Sequence, residues 1–192
     1  MRLPRIFDES RPLPSLPQGR IEDFALEVII ESKTLNMTVP DQIKDEWCWA
    51  ATCAGVREAF EQVAHEPCQL AGEVLNLACC SDPDICNRAM FLSVALERLG
   101  YFVPPIEEQL SFDAIAEQIA NDRPVCCFID YGTAIGHFIV ISAIDPGSQS
   151  VGILDPAPSG PHSTPRFLPL ESLQAGYGNG RWRETYRTQP RS

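Results

Sequence analysis

Apolar residues recur at helical spacing through the first half of the chain and at strand spacing through the second. From Cys48 to Val63, the residues Val56, Phe60 and Val63 share one face, with Ala and Cys between them, and this predicts a helix. Asp45 is a candidate for its cap. A short helix is expected near Gln69–Leu77, and Ser81-Asp82-Pro83-Asp84 reads as a turn. Asn87 can cap a helix to about Leu99, with Phe91, Ala95 and Leu99 inward and Gly100 as its stop. Ser111 can cap another, with Phe112, Ile115 and Ile119 inward and Asn121 and Pro124 beyond.

The character then changes. Residues 125–130, 137–144, 151–154 and 181–187 read as strands separated by Gly, Pro, Ser and Asp. Residues 21–39 alternate in part and predict a strand or hairpin that Pro40 ends. Helices first and strands second imply an α+β protein with segregated elements. The expected division is a flexible leader at 1–20, a helical lobe at about 41–104, a β-rich lobe at about 105–187 and a tail at 188–192. The pair Pro104-Pro105 marks the lobe boundary, and 21–39 can add a strand to the second lobe.

The 192 residues, 44% of them hydrophobic, suffice for one globular unit or two small packed lobes. The formal charge of −11, from 15 basic and 26 acidic residues, argues against a nucleic-acid partner. No apolar run has transmembrane length, so no membrane role is expected. Met1 to Arg20 is rich in Pro and Arg and lacks the apolar stretch of a secretory signal. The expectation is a cytoplasmic protein or one exported without a signal peptide. Composition leaves the oligomeric state open.

Eight cysteines suggest several roles. Cys68, Cys79, Cys80 and Cys86 lack the short paired spacing of a zinc site, so disulfides or free thiols are favoured over metal. Their three possible pairings cannot be ranked from sequence. Cys126 and Cys127 fall in an apolar strand, and Cys53 lies inside the predicted helix.

Cys48 opens that helix, in DEWCWAATC, where the positive end of the helix dipole favours a thiolate. Asp45 and Glu46 oppose this, so a cationic partner is needed. Taken alone, such a cysteine is more often a small buried hydrophobe. Of the three histidines, only His137 heads an apolar strand, behind a glycine that leaves room beside it. A strand end is a rigid mount for a general base. Asp155 ends the next strand, and a turn at Asp145-Pro146-Gly147 would bring it to the same sheet edge as His137. A carboxylate there can orient the imidazole, although an Asp before Pro is commonly just a turn residue. Gln42, six residues before Cys48, can aid a developing oxyanion together with the Cys48 N–H.

The string Gln42-Ile-Lys-Asp-Glu-Trp-Cys48-Trp49-Ala50 resembles the active-site segment of papain-like cysteine peptidases, as does His137 in Gly-His-Phe-Ile-Val. An Asp in third place resembles bacterial branches such as the type III effector peptidases of plant pathogens and the peptidase-like domains of bacteriocin exporters. The resemblance covers roughly residues 37–187. It implies an α+β papain-like fold, with a long central helix carrying Cys48 and an antiparallel β-barrel-like lobe carrying His137 and Asp155. It further implies catalytic roles for Cys48, His137, Asp155 and Gln42, with neither metal nor cofactor. Asp45 stands where papain itself has a disulfide cysteine, and Trp182 is a candidate to shield the His–Asp pair.

The expected activity is thiol endopeptidase cleavage of a protein or peptide substrate through an acyl-enzyme. The same residues would also serve amide transfer, deamidation or crosslinking. A third possibility is a non-catalytic binding module on the same scaffold.

Overall fold

The structure, a computed structural model, describes residues 31–132 and 136–191. The expected leader at 1–20, and 21–30 of the expected first strand, lie outside the described residues.

The helical part begins with α1 (Cys48–Glu61), followed by α2 (Pro67–Leu75), a 3-10 turn at Pro83–Cys86 and α3 (Leu92–Leu99). Every residue of α1 from Cys48 to Arg57 is buried, because the helix lies between the sheet and both α2 and α3. A helix enclosed on all sides needs apolar residues all round, and Trp49, Ala50, Ala51, Cys53, Ala54 and Val56 supply them. Gly55 permits the closest approach: a Cβ there would stand 2.7 Å from the Thr38 carbonyl oxygen. The helix stops at Glu61, where Gln62 turns left-handed, so Val63 is exposed rather than part of the predicted stripe.

Asn87 does not cap α3, which begins four residues later than expected, at Leu92 behind Phe91 as its cap. Asn87 Oδ1 instead accepts the Glu46 N–H at 3.1 Å, and the Arg88 carbonyl accepts the Trp49 indole N–H at 2.9 Å. These bonds hold 87–91 out of helical conformation. Phe91 is therefore 77% exposed, and the buried stripe of α3 is Leu92, Ala95, Leu96 and Leu99. In α4 (Phe112–Ala120) the expectation holds: Ser111 accepts the Ala114 N–H, and Phe112, Ile115 and Ile119 are buried.

Seven strands among the described residues form one antiparallel sheet in the order β2-β7-β3-β4-β5-β6, with β1 added against β4. They are β1 (Lys33–Thr34), β2 (Phe102–Glu107), β3 (Val125–Asp130), β4 (Gly136–Asp145), β5 (Ser150–Leu154), β6 (Arg166–Pro169) and β7 (Arg181–Thr188). A short α5 (Leu170–Ala175) precedes β7. The boundary expected at Pro104-Pro105 falls inside β2. Proline lacks the N–H a central strand needs, but β2 is an edge strand paired only with β7, with an irregularity between Val103 and Glu107.

Two disulfides join Cys68 to Cys80 and Cys79 to Cys86, tying α2 to the 3-10 turn. Cys53, Cys126 and Cys127 are free and buried, and burial pushes all three thiols up in pKa. No group of metal-ligating side chains and no helix long and apolar enough to cross a membrane occurs among the described residues.

Candidate active site

Cys48 is the first residue of α1 and is 9% exposed. The helix N-cap is Trp47, not Asp45, and no side chain caps the first turn. The first amides of a helix have no intrahelical acceptor, so their N–H groups remain available at the buried start of α1. The segment before Cys48 is held by neighbours rather than by a cap. Trp47 donates its indole N–H to the Cys86 carbonyl at 2.8 Å, and Lys44 pairs with Asp84 at 2.5 Å.

His137 is the second residue of β4, and Asp155 follows the end of β5. The β4–β5 hairpin brings them to one sheet edge. Its turn is closed by Asp145, whose carboxylate accepts the Gly147 N–H at 3.2 Å and the Ser148 hydroxyl at 2.6 Å. His137 Nε2 meets Asp155 Oδ1 at 2.6 Å, with side-chain exposures of 12% and 8%. The Cys48 side chain is close enough to the same imidazole to help raise its pKa. With Nε2 committed to Asp155, Nδ1 is the nitrogen left for the thiol. The three residues thus stand as a chain of neighbours: thiol, imidazole, carboxylate.

The electrostatics follow from this order. Burial alone would lower the His137 pKa, but its interactions with Asp155 and Cys48 outweigh burial and push it up to about 9. Burial likewise opposes ionisation of Asp155. The imidazole, the Ala157 N–H and the Tyr177 hydroxyl overcome it and hold the carboxyl below its ordinary range.

Tyr177 is the residue that sequence reasoning missed. Its hydroxyl donates to Asp155 Oδ2 at 2.7 Å, while the Ala157 N–H and His137 share Oδ1. Trp182, the expected shield, is buried in β7 with its indole N–H on the Glu184 carbonyl. The available signal was the glycine-rich run Gly176-Tyr-Gly-Asn-Gly180, which marks a tight turn. Gly178 takes a φ of 57° there, and Tyr177 pairs with Gly180 across the turn.

Gln42 lies near this chain, with its amide turned to its own loop. Nε2 donates to the carbonyls of Lys44 at 3.1 Å and Asp45 at 3.0 Å, and buried Oε1 has no partner. Its backbone N–H bonds the Pro156 carbonyl at 2.9 Å, joining the segment before Cys48 to the loop after Asp155. Beside Cys48 opens a cavity of about 470 Å³, with aromatic walls and carboxylates from Asp45, Glu46 and Glu184.

Fold and site together define a cysteine-hydrolase architecture, and comparison with known proteins supplies its family. Residues 31–169 match the family described as papain-like cysteine protease AvrRpt2. The chain belongs to that family and is a papain-like cysteine peptidase. Among solved structures, a C39-like peptidase from Bacillus anthracis is similar in fold, with a TM-score of 0.53 and 17% identity. The likeness covers 84% of this chain and 100% of that one. No curated protein matches the sequence.

Proposed function

We infer that the chain hydrolyses peptide bonds through an acyl-enzyme on Cys48, with His137 as base and acid and Asp155 as the orienting carboxylate. The observation that carries this reading is the position of the His137 imidazole between Asp155 Oδ1 and the Cys48 thiol. The imidazole takes the thiol proton, and the resulting imidazolium is stabilised by the carboxylate at 2.6 Å. The sulfur attacks the scissile carbonyl, forming the C–S bond as the carbonyl π pair moves to oxygen. The C–N bond then breaks, and His137 protonates the leaving amine. Water, deprotonated by His137, attacks the thioester and releases the acid and the thiol.

The uncapped start of α1 supports an oxyanion site at the Cys48 N–H. Gln42 is the second donor. Two successive carbonyls can share one of its N–H groups in a three-centre bond, which leaves the other for the substrate oxygen. The primary test is cleavage of a denatured-protein substrate by wild type and Cys48→Ala. Loss of cleavage is expected, and equal rates would remove the mechanism. Intact mass of the products separates chain scission from deamidation or crosslinking. Gln42→Ala should lower kcat by about 10²–10³-fold, the cost of one oxyanion donor.

A further inference from the structure

The cavity beside Cys48 has an unusual floor. Phe138 on β4 pairs with Phe128 on β3, and Phe128 pairs with Glu184 on β7. A carboxylate thus occupies the next place in a cross-strand row that otherwise presents aromatic rings to the cavity. The Phe128 and Phe138 ring centroids are 5.2 Å apart, and Phe138 meets Tyr186 edge-on at 5.9 Å. Gly136 keeps this wall in place, since a Cβ there would stand 2.1 Å from the Phe128 ring.

Glu184 is half-buried and accepts the Tyr186 hydroxyl, which fixes one carboxylate oxygen. Among the described residues it has no cationic partner. Asp130 takes Arg183 at 3.6 Å, and Glu107 takes Arg187 at 2.5 Å. The described lining contains two further carboxylates, Asp45 and Glu46, and no lysine or arginine. Apolar walls with an acid at the end complement a long alkyl stem ending in a cation.

We propose that Glu184 sets substrate preference, accepting an arginine or lysine side chain of the peptide substrate into the cavity beside Cys48. The alkyl stem lies on Phe128 and Phe138, and the cationic head meets the free oxygen of Glu184. This deepens the peptidase reading and rests on it.

The test uses dipeptidyl chloromethyl ketones, in which sulfur displaces chloride, with arginine or its neutral isostere citrulline one or two residues from the reactive carbon. The second-order rate of Cys48 alkylation is read by intact mass. At one of the two positions arginine should exceed citrulline by about tenfold or more, as a charge-assisted contact requires. In Glu184→Gln, which keeps an acceptor for Tyr186, that ratio should collapse toward one. Equal rates for arginine and citrulline at both positions in wild type overturn the proposal. A preference that survives Glu184→Gln also overturns it, passing the role to Asp45 or Glu46. Iodoacetamide, too small to use the cavity, reports thiol activation separately, so failure of the peptidase reading is distinguishable. If the thiol is inert, NMR titration of Cys48→Ala with arginine and citrulline peptide amides reads the same ratio as binding. Equal affinities there overturn the proposal equally.

Discussion

The Tyr177 hydroxyl donates to Asp155 Oδ2 at 2.7 Å, on the carboxylate oxygen that His137 does not use. One oxygen therefore faces the imidazole and the other is tethered, which fixes the plane of the carboxylate. In the proposed mechanism Tyr177 acts through Asp155, as a positioning residue. Tyr177→Phe should leave Oδ2 buried without that donor, at a cost of about 1–3 kcal/mol in urea denaturation. Removing a donor from the ionised form raises the Asp155 pKa, so the acid limb of the kcat/KM–pH profile should move upward. A purely structural tyrosine would change stability and leave that limb in place.

The His137–Asp155 pair makes stability depend on pH in a defined direction. The His137 pKa is raised from its ordinary 6.5 to about 9. Its contribution is therefore fully present below about pH 6.5 and is lost as pH rises through about 9. Asp155 is shifted the other way, so its contribution is present above its unfolded value and is lost as pH falls through the lower folded value. The difference in unfolding free energy between wild type and His137→Ala, measured at pH 6, 8 and 10, should shrink across the series. A constant difference would mean that folding leaves the His137 pKa at its unfolded value.

Much of this site was legible because its parts are local. Cys48 at a helix start follows from the spacing of Val56 and Phe60 behind it, and the meeting of His137 with Asp155 follows from one hairpin with Asp-Pro-Gly turn chemistry. What escaped is set by contacts distant in sequence. Asn87 has the chemistry of a cap, yet its oxygen is taken by Glu46, 41 residues away. Strand β2 contains two prolines and is admissible only because its outer edge needs no partner. Tyr177 reaches Asp155 across 22 residues, β6 and α5. The pairing of Cys79 with Cys86 and Cys68 with Cys80, left open by spacing, is decided by the packing of α2 against the 3-10 turn.

The Cys79–Cys86 bridge should matter more to activity than the other disulfide does. It anchors the 3-10 turn whose Asp84 and Cys86 carbonyl hold Lys44 and Trp47, just before Cys48. The Cys68–Cys80 bridge instead fixes the first turn of α2. Replacing either pair with serine should cost about 2–4 kcal/mol in denaturant titration. Under conditions where both variants remain folded, only Cys79→Ser/Cys86→Ser should lose most of its kcat/KM. Equal activity losses would show that both bridges act through global stability alone.

Gly160 tests whether backbone placement behind Asp155 controls the site. The loop after Asp155 folds back on itself: the Asp155 N–H bonds the Pro161 carbonyl at 3.0 Å, and the Gly160 N–H bonds the Ala157 carbonyl at 2.7 Å. It is also joined to the segment before Cys48, through Val39 N–H to the His162 carbonyl and Gln42 N–H to the Pro156 carbonyl. A Cβ on Gly160 would stand 2.3 Å from the Asp155 carbonyl oxygen and 2.9 Å from Asp155 Cβ. The nearest atom is backbone and cannot rotate away, so the loop itself must shift. Gly160→Ala should therefore move Asp155 relative to His137 while the rest of the sheet stays folded. A displacement near 1 Å at a positioned group lowers kcat/KM by about 10²-fold. The circular dichroism spectrum should remain that of wild type, and iodoacetamide alkylation of Cys48 should slow in parallel with peptide cleavage. Activity within twofold of wild type would mean that the loop yields without moving the carboxylate.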